Sequence, residues 1–314
     1  MHACGDPTVL SVDEVPPPGP PVGDEITARV AASSINGTDL GLRRGDVRVA
    51  TWGRLPFTLG FDLAGEVVHC GPRVSAFRPG DRVAALLGHD GGAQASYAVL
   101  RQHRAARVPD RVPLESAAGV VLAGLTALQA LHHVGRLGAR GRGARVLVVG
   151  ASGGIGCHAV QLAALAGAHV TAVASGRKLP RVREYGAHEL VDRSTCDIAR
   201  LDGSWDLVLD TPGTAAHAEL AGLLAPGGTL VTTRPISRDV WRAAPALLPG
   251  RGKRPPSWGA VTTRARPADL AHLLHLLADG RLRSPVDRVL PLDRGAEAHA
   301  HAETEVVGKV VLSL

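Results

Sequence analysis

The chain has few aromatic residues. Phe, Trp and Tyr together make up 3% of its 314 residues. Its core must therefore be filled by Val, Leu and Ala, and sites built on aromatic stacking have few candidates. Cysteine is also sparse. Cys4, Cys70, Cys157 and Cys196 stand far apart, with no C-x-x-C pair and no adjoining His cluster. That spacing argues against a disulfide framework or a structural zinc site, and fits free thiols in a reducing cytoplasm. The opening "MHACGDPTVL" lacks the basic-then-apolar order of a leader. No long apolar run free of charge stands out, so no membrane span is expected. The net charge is +6, yet the short basic clusters at 136–145 and 251–254 match no nucleic-acid reading module. A basic balance alone speaks only to non-specific attraction, so no nucleic-acid partner is expected.

Hydrophobic residues reach 45%, enough for a sizeable core, and the length suggests two domains. Residues 1–118 read as short β-strands broken by Gly and Pro: "EITARVAASS" (25–34), "GEVVHC" (65–70), "DRVAAL" (81–86) and "QASYAVL" (94–100). This pattern predicts a β-rich, barrel-like domain. The texture changes at "PLESAAGVVLAGLTALQALHHV" (113–134), an Ala/Leu-rich helix in which Ser116 is a candidate cap. Strands and helices then alternate: "RVLVVG", "HVTAVA", "HELVD", "WDLVLD" and "GTLVTT" are short apolar strands divided by helical stretches. That order predicts a Rossmann-type doubly wound parallel sheet, placed at 119–258. A helix at 267–280 and two β-like segments, "SPVDRVLPL" and "VVGKVVLSL", return to the texture of the start. The parallel-sheet domain is therefore expected to be inserted in a β-rich domain made of 1–118 and 259–314.

The stretch "RVLVVGASGGIGCHAVQLAALAGAHVTAVASGRK" (145–178) carries the clearest chemistry. A strand ends at Gly150 and a helix opens after the turn Gly150, Ala151, Ser152, Gly153, Gly154, Ile155, Gly156. Against the dinucleotide fingerprint, Ala151 stands in the first glycine's place, Gly153 in the second and Gly156 in the third. A Cβ at Gly153 would hold the backbone off a pyrophosphate, and one at Gly156 would push the helix away. The helix N-terminus offers unpaired N–H groups and a positive dipole end. Ile155, Ala159, Leu162, Ala163 and Ala166 recur at helical spacing, as a face packed on a sheet does. The strand–turn–helix–strand context supports dinucleotide binding over a merely tight βα turn. An NAD site expects Asp or Glu about 20 residues on, against the ribose 2′-hydroxyl. Here the second strand ends in Ser175, Gly176, Arg177 and Lys178, with no carboxylate. A hydroxyl and two cations suit a 2′-phosphate, so the cofactor expected is NADPH, unless the two cations are only solvated residues opening the next helix.

These segments, in this order, resemble the zinc-free quinone oxidoreductases of the medium-chain dehydrogenase/reductase superfamily. "ARVAASSINGTDLGLRRG", "LPFTLGFDLAGEVVHCGPRVSAFRPGDRVAAL", "AAGVVLAGLTALQAL", the glycine turn, "WDLVLDTPG", "LAPGGTLVTT" and the closing "GKVVL" carry the likeness over nearly the whole chain. The resemblance implies a GroES-like catalytic domain with an inserted Rossmann domain, an active site in the cleft between them, and a homodimer joined through Rossmann edge strands. It places Asn36 near nicotinamide and acceptor, and Thr126 near the nicotinamide amide. Gly150, Ala151, Ser152, Gly153, Gly154, Ile155, Ser175, Arg177 and Lys178 would hold the phosphates. Arg193 would approach the adenine side, Thr211 the nicotinamide ribose, and Lys309 would close on the cofactor. Blander roles stay open: Asn36 as a turn residue, Thr126 bonding its own helix, Lys309 at the surface.

A zinc-dependent relative would carry a Cys near Asn36 and Gly-His-Glu near Gly60. This chain has "INGTDL" and "LGFDLAG", with Asn36 for the thiolate and Phe61 for the imidazole. Zinc needs three or four converging N, S or O ligands. The His pairs 132/133 and 299/301 do not supply them, so no metal is expected. Hydride chemistry then belongs to the cofactor, and the protein orients it; Asn36 is a candidate to polarise an acceptor carbonyl by hydrogen bonding. Related enoyl-thioester reductases carry a Tyr in the stretch that here reads "RRGDVRVATWGRLP", which has none. Tyr97, Asp39 and His89 are other possible acids, though Asp39 also suits a helix cap. A quinone or enone acceptor fits best; a trans-acting enoyl reductase of polyketide-type biosynthesis and a non-catalytic NADPH-binding module remain alternatives.

Overall fold

The computed structural model describes residues 1–46, 55–213, 216–233, 256–304 and 306–314. The basic cluster at 251–254, most of the segment "WRAAPALLPGRGKRPPSWG" (241–259) and the middle of the Tyr-free stretch 43–56 lie outside the described residues. The chain divides into two compact units, Met1–Leu125 with Arg264–Leu314, and Thr126–Thr263.

The first unit is built on one sheet. Strands β1 (Glu25–Ser34), β2 (Asp62–Cys70), β3 (Arg82–Leu86) and β5 (Ala105–Arg107) pair in sequence as antiparallel neighbours, and β4 (Tyr97–Arg101) also pairs with β1. The C-terminal strands β12 (Val286–Pro291) and β13 (Lys309–Ser313) complete it, β13 lying antiparallel to β1 and parallel to β12. Alternation explains the half-buried strands: in β4 the apolar Ala98 and Leu100 point inward while Tyr97, Val99 and Arg101 face out. β1 and β2 are buried on both faces along most of their length, so their apolar runs are nearly continuous. Ile26, Leu63, Val67 and Val83 fill the core between them. Helix α1 (Gly37–Arg44) follows β1 directly and ends at Gly45, whose φ of 85° turns the chain out of the helix.

Helix α2 (Leu114–Leu128), extended by a wider π-type turn over Gln129–Val134, carries the chain into the second unit. The two compact units meet at 125/126 and 263/264, a few residues beyond the expected 118/119 and 258/259, and α2 runs unbroken through the first of these positions. One expectation is corrected here. Ser116 lies inside the first turn of α2, which begins at Leu114, and so is no cap. The segment Leu114–Val134 is also long and apolar enough to cross a membrane by length and composition, which the sequence reading overlooked; 78% of its most apolar window is buried in the protein, as in a core helix.

Among the described residues, the second unit holds a six-stranded, all-parallel sheet. Its strands are β6 (Arg145–Val149), β7 (His169–Ala174), β8 (Glu189–Asp192), β9 (Trp205–Asp210), β10 (Leu224–Thr232) and β11 (Ser257–Ala260), in spatial order β11-β10-β9-β6-β7-β8. The order reverses between β6 and β9, and the carboxyl ends of strands at such a switch point are where doubly wound sheets bind ligands. Val146, Leu147, Val148 and Val149 are all buried, as a strand covered on both faces requires. Trp205, one of the few aromatics, is fully buried and donates its indole N–H to Thr171 Oγ1 at 3.3 Å. Helix α3 (Gly154–Leu165) was expected to bury one face; instead Gly156 to Ala163 are all buried, so this helix is enclosed nearly all round.

Candidate active site

In the second unit the site grows from the turn after β6. Gly150 has φ 75°, a conformation open to glycine and strained for other residues. A Cβ there would also stand 2.5 Å from Thr211 Oγ1. The tight turn is therefore made at Gly150, and Ala151, read as the first glycine's stand-in, is a buried wall residue beside it. Gly153 is the N-cap of α3 and brings no side-chain acceptor to the helix end. A Cβ on Gly153 would meet nothing closer than Gly150 O at 3.5 Å, so its bareness serves the open side of the turn. A Cβ on Gly156 would stand 2.7 Å from Ala151 Cα and collide with the Gly150 carbonyl. That fixes the role of this glycine as close packing of helix on turn.

Thr211 follows β9, the strand across the switch point. Its hydroxyl donates to Val149 O at 2.9 Å and lies 3.3 Å from Gly150 O. It thus stiffens the glycine turn and keeps only lone pairs for a ligand. Thr126 is buried on α2, and its hydroxyl shares a 2.6 Å hydrogen bond with that of Thr263. Beyond β7 the chain makes a short 3-10 turn over Gly176–Lys178, with Ser175 before it. Arg177 and Arg193 are exposed, and Arg193 Nε donates to Ser175 Oγ at 3.2 Å. The end of the second strand and the end of the third thus combine into one hydroxyl-and-cation cluster. These residues fit a phosphorylated dinucleotide: a glycine turn without Cβ atoms in the way, a helix N-terminus, and a cationic patch where the ribose end would lie.

In the first unit the structure gathers a second polar centre, fully buried. Lys309 Nζ donates to the Ile35 carbonyl and to Asn36 Oδ1, the latter at 2.6 Å. Asn36 Nδ2 donates to Ser34 O and to Asp62 Oδ2, each at 3.0 Å. Asp62 also accepts the Ser34 N–H at 2.8 Å and the Ser34 hydroxyl at 2.7 Å. Asp39 accepts the backbone N–H groups of Asn36 at 2.9 Å and Gly60 at 2.8 Å. Asp39 thus ties the start of α1 to the turn before β2, the capping role anticipated for it. Burial, and then the nearby Asp62 charge, push the Asp39 carboxyl up to about 7. Burial likewise raises Asp62, with the Lys309 ammonium as the largest opposing influence, and lowers Lys309.

Two expectations change. Lys309, grouped with the cofactor residues or left at the surface, is 4% exposed and belongs with Asn36. Its ammonium is the counter-charge of two buried carboxylates. Asn36, expected to polarise a carbonyl, has both amide hydrogens spent on Ser34 O and Asp62. Hydrogen-bond donation to an acceptor would cost one of those buried bonds. The centre also makes a poor zinc site: an ammonium already occupies the place of a cation, and Asn36 and Phe61 offer no thiolate or imidazole. Among the described residues no group of three His, Cys, Asp or Glu could hold a metal ion. Asp62 and Ser34 were missed in the sequence; the signal was a lone acid in the apolar run "FDLAG". Asp192, at the end of β8, has no local signal: it lies one strand beyond the position where the dinucleotide fingerprint expects an acid, and only strand pairing brings it beside Ala174.

Residues 23–110 match the alcohol dehydrogenase GroES-like domain, and residues 185–312 match the model described as zinc-binding dehydrogenase. A chloroplastic quinone oxidoreductase, QR1, of Triphysaria versicolor is 33% identical over 307 residues, 95% of this chain and 92% of that protein. A quinone oxidoreductase of Pseudomonas aeruginosa is 31% identical and covers 99% of this chain and 97% of its own length. Among solved structures, the quinone oxidoreductase of Coxiella burnetii superposes with a TM-score of 0.90 at 26% identity, covering 100% of this chain and 98% of that one.

Proposed function

The chain belongs to the quinone oxidoreductase-like branch of the medium-chain dehydrogenase/reductase superfamily, and on that premise we propose that it is an NADPH-dependent, metal-free reductase of a quinone or an α,β-unsaturated carbonyl. The observation that carries the cofactor half is the cluster of Ser175, Arg177, Lys178 and Arg193 at the ends of β7 and β8, where a hydroxyl and cations stand in place of a free carboxylate. Bound NADPH would supply the hydride. The protein's share is to bind and orient it: Gly150, Gly153 and Gly156 admit the pyrophosphate, Ala151, Ser152, Gly154 and Ile155 shape the turn, and the α3 N-terminus faces the negative charge.

The acceptor half of the reading rests on the buried centre around Asn36. Its amide is held by Lys309 and Asp62, so any acceptor that reaches Asn36 meets a side chain already fixed in place. A quinone that takes one hydride becomes the hydroquinone anion, and one proton from solvent then makes the hydroquinone. Thr126 and Thr211 belong to the nicotinamide side of this reading, as the family resemblance implies. We also take the protein to be a homodimer through the edge strand β11. The cofactor claim is tested by the dissociation constants of NADPH and NADH in fluorescence titration. NADPH is expected to bind at least about tenfold tighter, about 1.4 kcal/mol; tighter NADH binding would overturn it.

A further inference from the structure

The cationic turn that we assign to the 2′-phosphate has a carboxylate pressed against it. Asp192 ends β8 and pairs with Ala174, the residue before Ser175. Its Oδ1 accepts the Ser194 N–H at 2.9 Å and the Ser194 hydroxyl at 2.6 Å, and the carboxylate also accepts the Gly176 N–H. A Cβ on Gly176 would lie 3.0 Å from Asp192 Cγ and run into Oδ2. Glycine at 176 is thus what lets the acid close on the turn. The neighbouring Arg193 is fixed from both ends: its backbone N–H donates to Ala174 O at 3.0 Å, and its guanidinium reaches Ser175 Oγ. Three protein donors, from Gly176 and Ser194, thus engage the Asp192 carboxylate.

We propose that Asp192 is a positioning residue for 2′-phosphate recognition: its carboxylate clamps Gly176 and Ser194 so that Ser175, Arg177, Lys178 and Arg193 are presented to the phosphate in one fixed arrangement. The inference rests on the NADPH reading above. Its sign is what makes it sharp. On charge alone, removing an acid beside a dianion site tightens dianion binding. A clamp predicts the opposite, because donors that must be ordered on binding cost affinity.

The test is calorimetric titration of the full-length protein with 2′,5′-ADP and with 5′-AMP, for wild type, Asp192→Ala and Gly176→Ala. Asp192→Ala removes the clamp and the charge; Gly176→Ala keeps the charge and displaces the carboxylate. Both variants are expected to weaken 2′,5′-ADP about three- to tenfold and to leave 5′-AMP within about twofold. Unchanged or tighter 2′,5′-ADP binding in Asp192→Ala overturns the inference. So does equal loss of both ligands, which is the mark of general disruption. A wild type that does not favour 2′,5′-ADP over 5′-AMP overturns the NADPH reading itself and this inference with it. That failure is seen before any variant is made, so the two failures are distinguishable.

Discussion

The molecule carries two clusters of charged and polar side chains, and they obey different rules. The Asn36–Asp62–Lys309 centre of the first unit is buried and satisfied almost entirely from within. The Ser175–Arg193 cluster of the second unit stands largely in solvent, with its guanidinium and ammonium groups at or near the surface. Charges without water must find partners inside the protein, whereas charges at the surface are also solvated by water. The first cluster holds a shape, and the second is the one we propose as the 2′-phosphate site. The contrast also bears on Lys309, left open in the sequence between the cofactor and the surface: it is buried against Asn36.

The largest expected effect comes from breaking the buried centre. Lys309→Met leaves Asp39 and Asp62 without their cation and should lower the unfolding free energy by about 3–5 kcal/mol. Chemical denaturation measures it; a change under about 1 kcal/mol would mean that Lys309 is not the counter-charge. Adding Asp62→Asn should restore part of the loss, since removing both partners costs less than removing one. Next in size is Gly156→Val, which forces a side chain into the Gly150–Ala151 turn. Overpacking of about 1–3 kcal/mol and a rise of at least about tenfold in the NADPH dissociation constant are expected. Retained NADPH affinity would show that helix and turn can separate freely.

The exposed cluster should respond differently. Arg177→Ala with Lys178→Ala is expected to leave stability within about 0.5 kcal/mol, as surface substitutions do. It should weaken NADPH about tenfold, leave NADH unchanged and reduce the salt dependence of NADPH binding. Equal weakening of both cofactors would move these cations away from the 2′-phosphate. A further effect is one of pH. Asp39 holds its proton up to about 7 when folded but only to about 4 when unfolded. Its contribution to stability is complete below the lower value and is lost as pH rises through the upper one. The melting temperature should thus decline across that window, and Asp39→Asn should flatten the decline; parallel curves for the two proteins would contradict this assignment.

Much of the fold was legible in the sequence because it is written in local periodicity. Strand β1 was found to the residue, and the alternation of apolar strands with helices gave the parallel sheet. The return of the C-terminus to the first sheet showed in the texture of "GKVVLSL". What escaped were features that depend on pairing distant segments. Asp192 reaches the turn at Gly176 only because β8 lies beside β7. Asp62 meets Lys309 only because β2 and β13 both flank β1. The glycine turn shows the same limit on a smaller scale: the spacing located it, but only the φ of Gly150 shows where the chain reverses.

The central claim is transfer of a hydride from NADPH to a quinone or enone. Stopped-flow oxidation of NADPH and of NADH by the purified protein, with 1,4-benzoquinone, an alkyl vinyl ketone and a crotonyl thioester in turn, tests it most directly. The account predicts turnover of the quinone or the vinyl ketone, faster with NADPH than with NADH. Turnover of the thioester alone, a preference for NADH, or tight NADPH binding without oxidation by any of the three would contradict it.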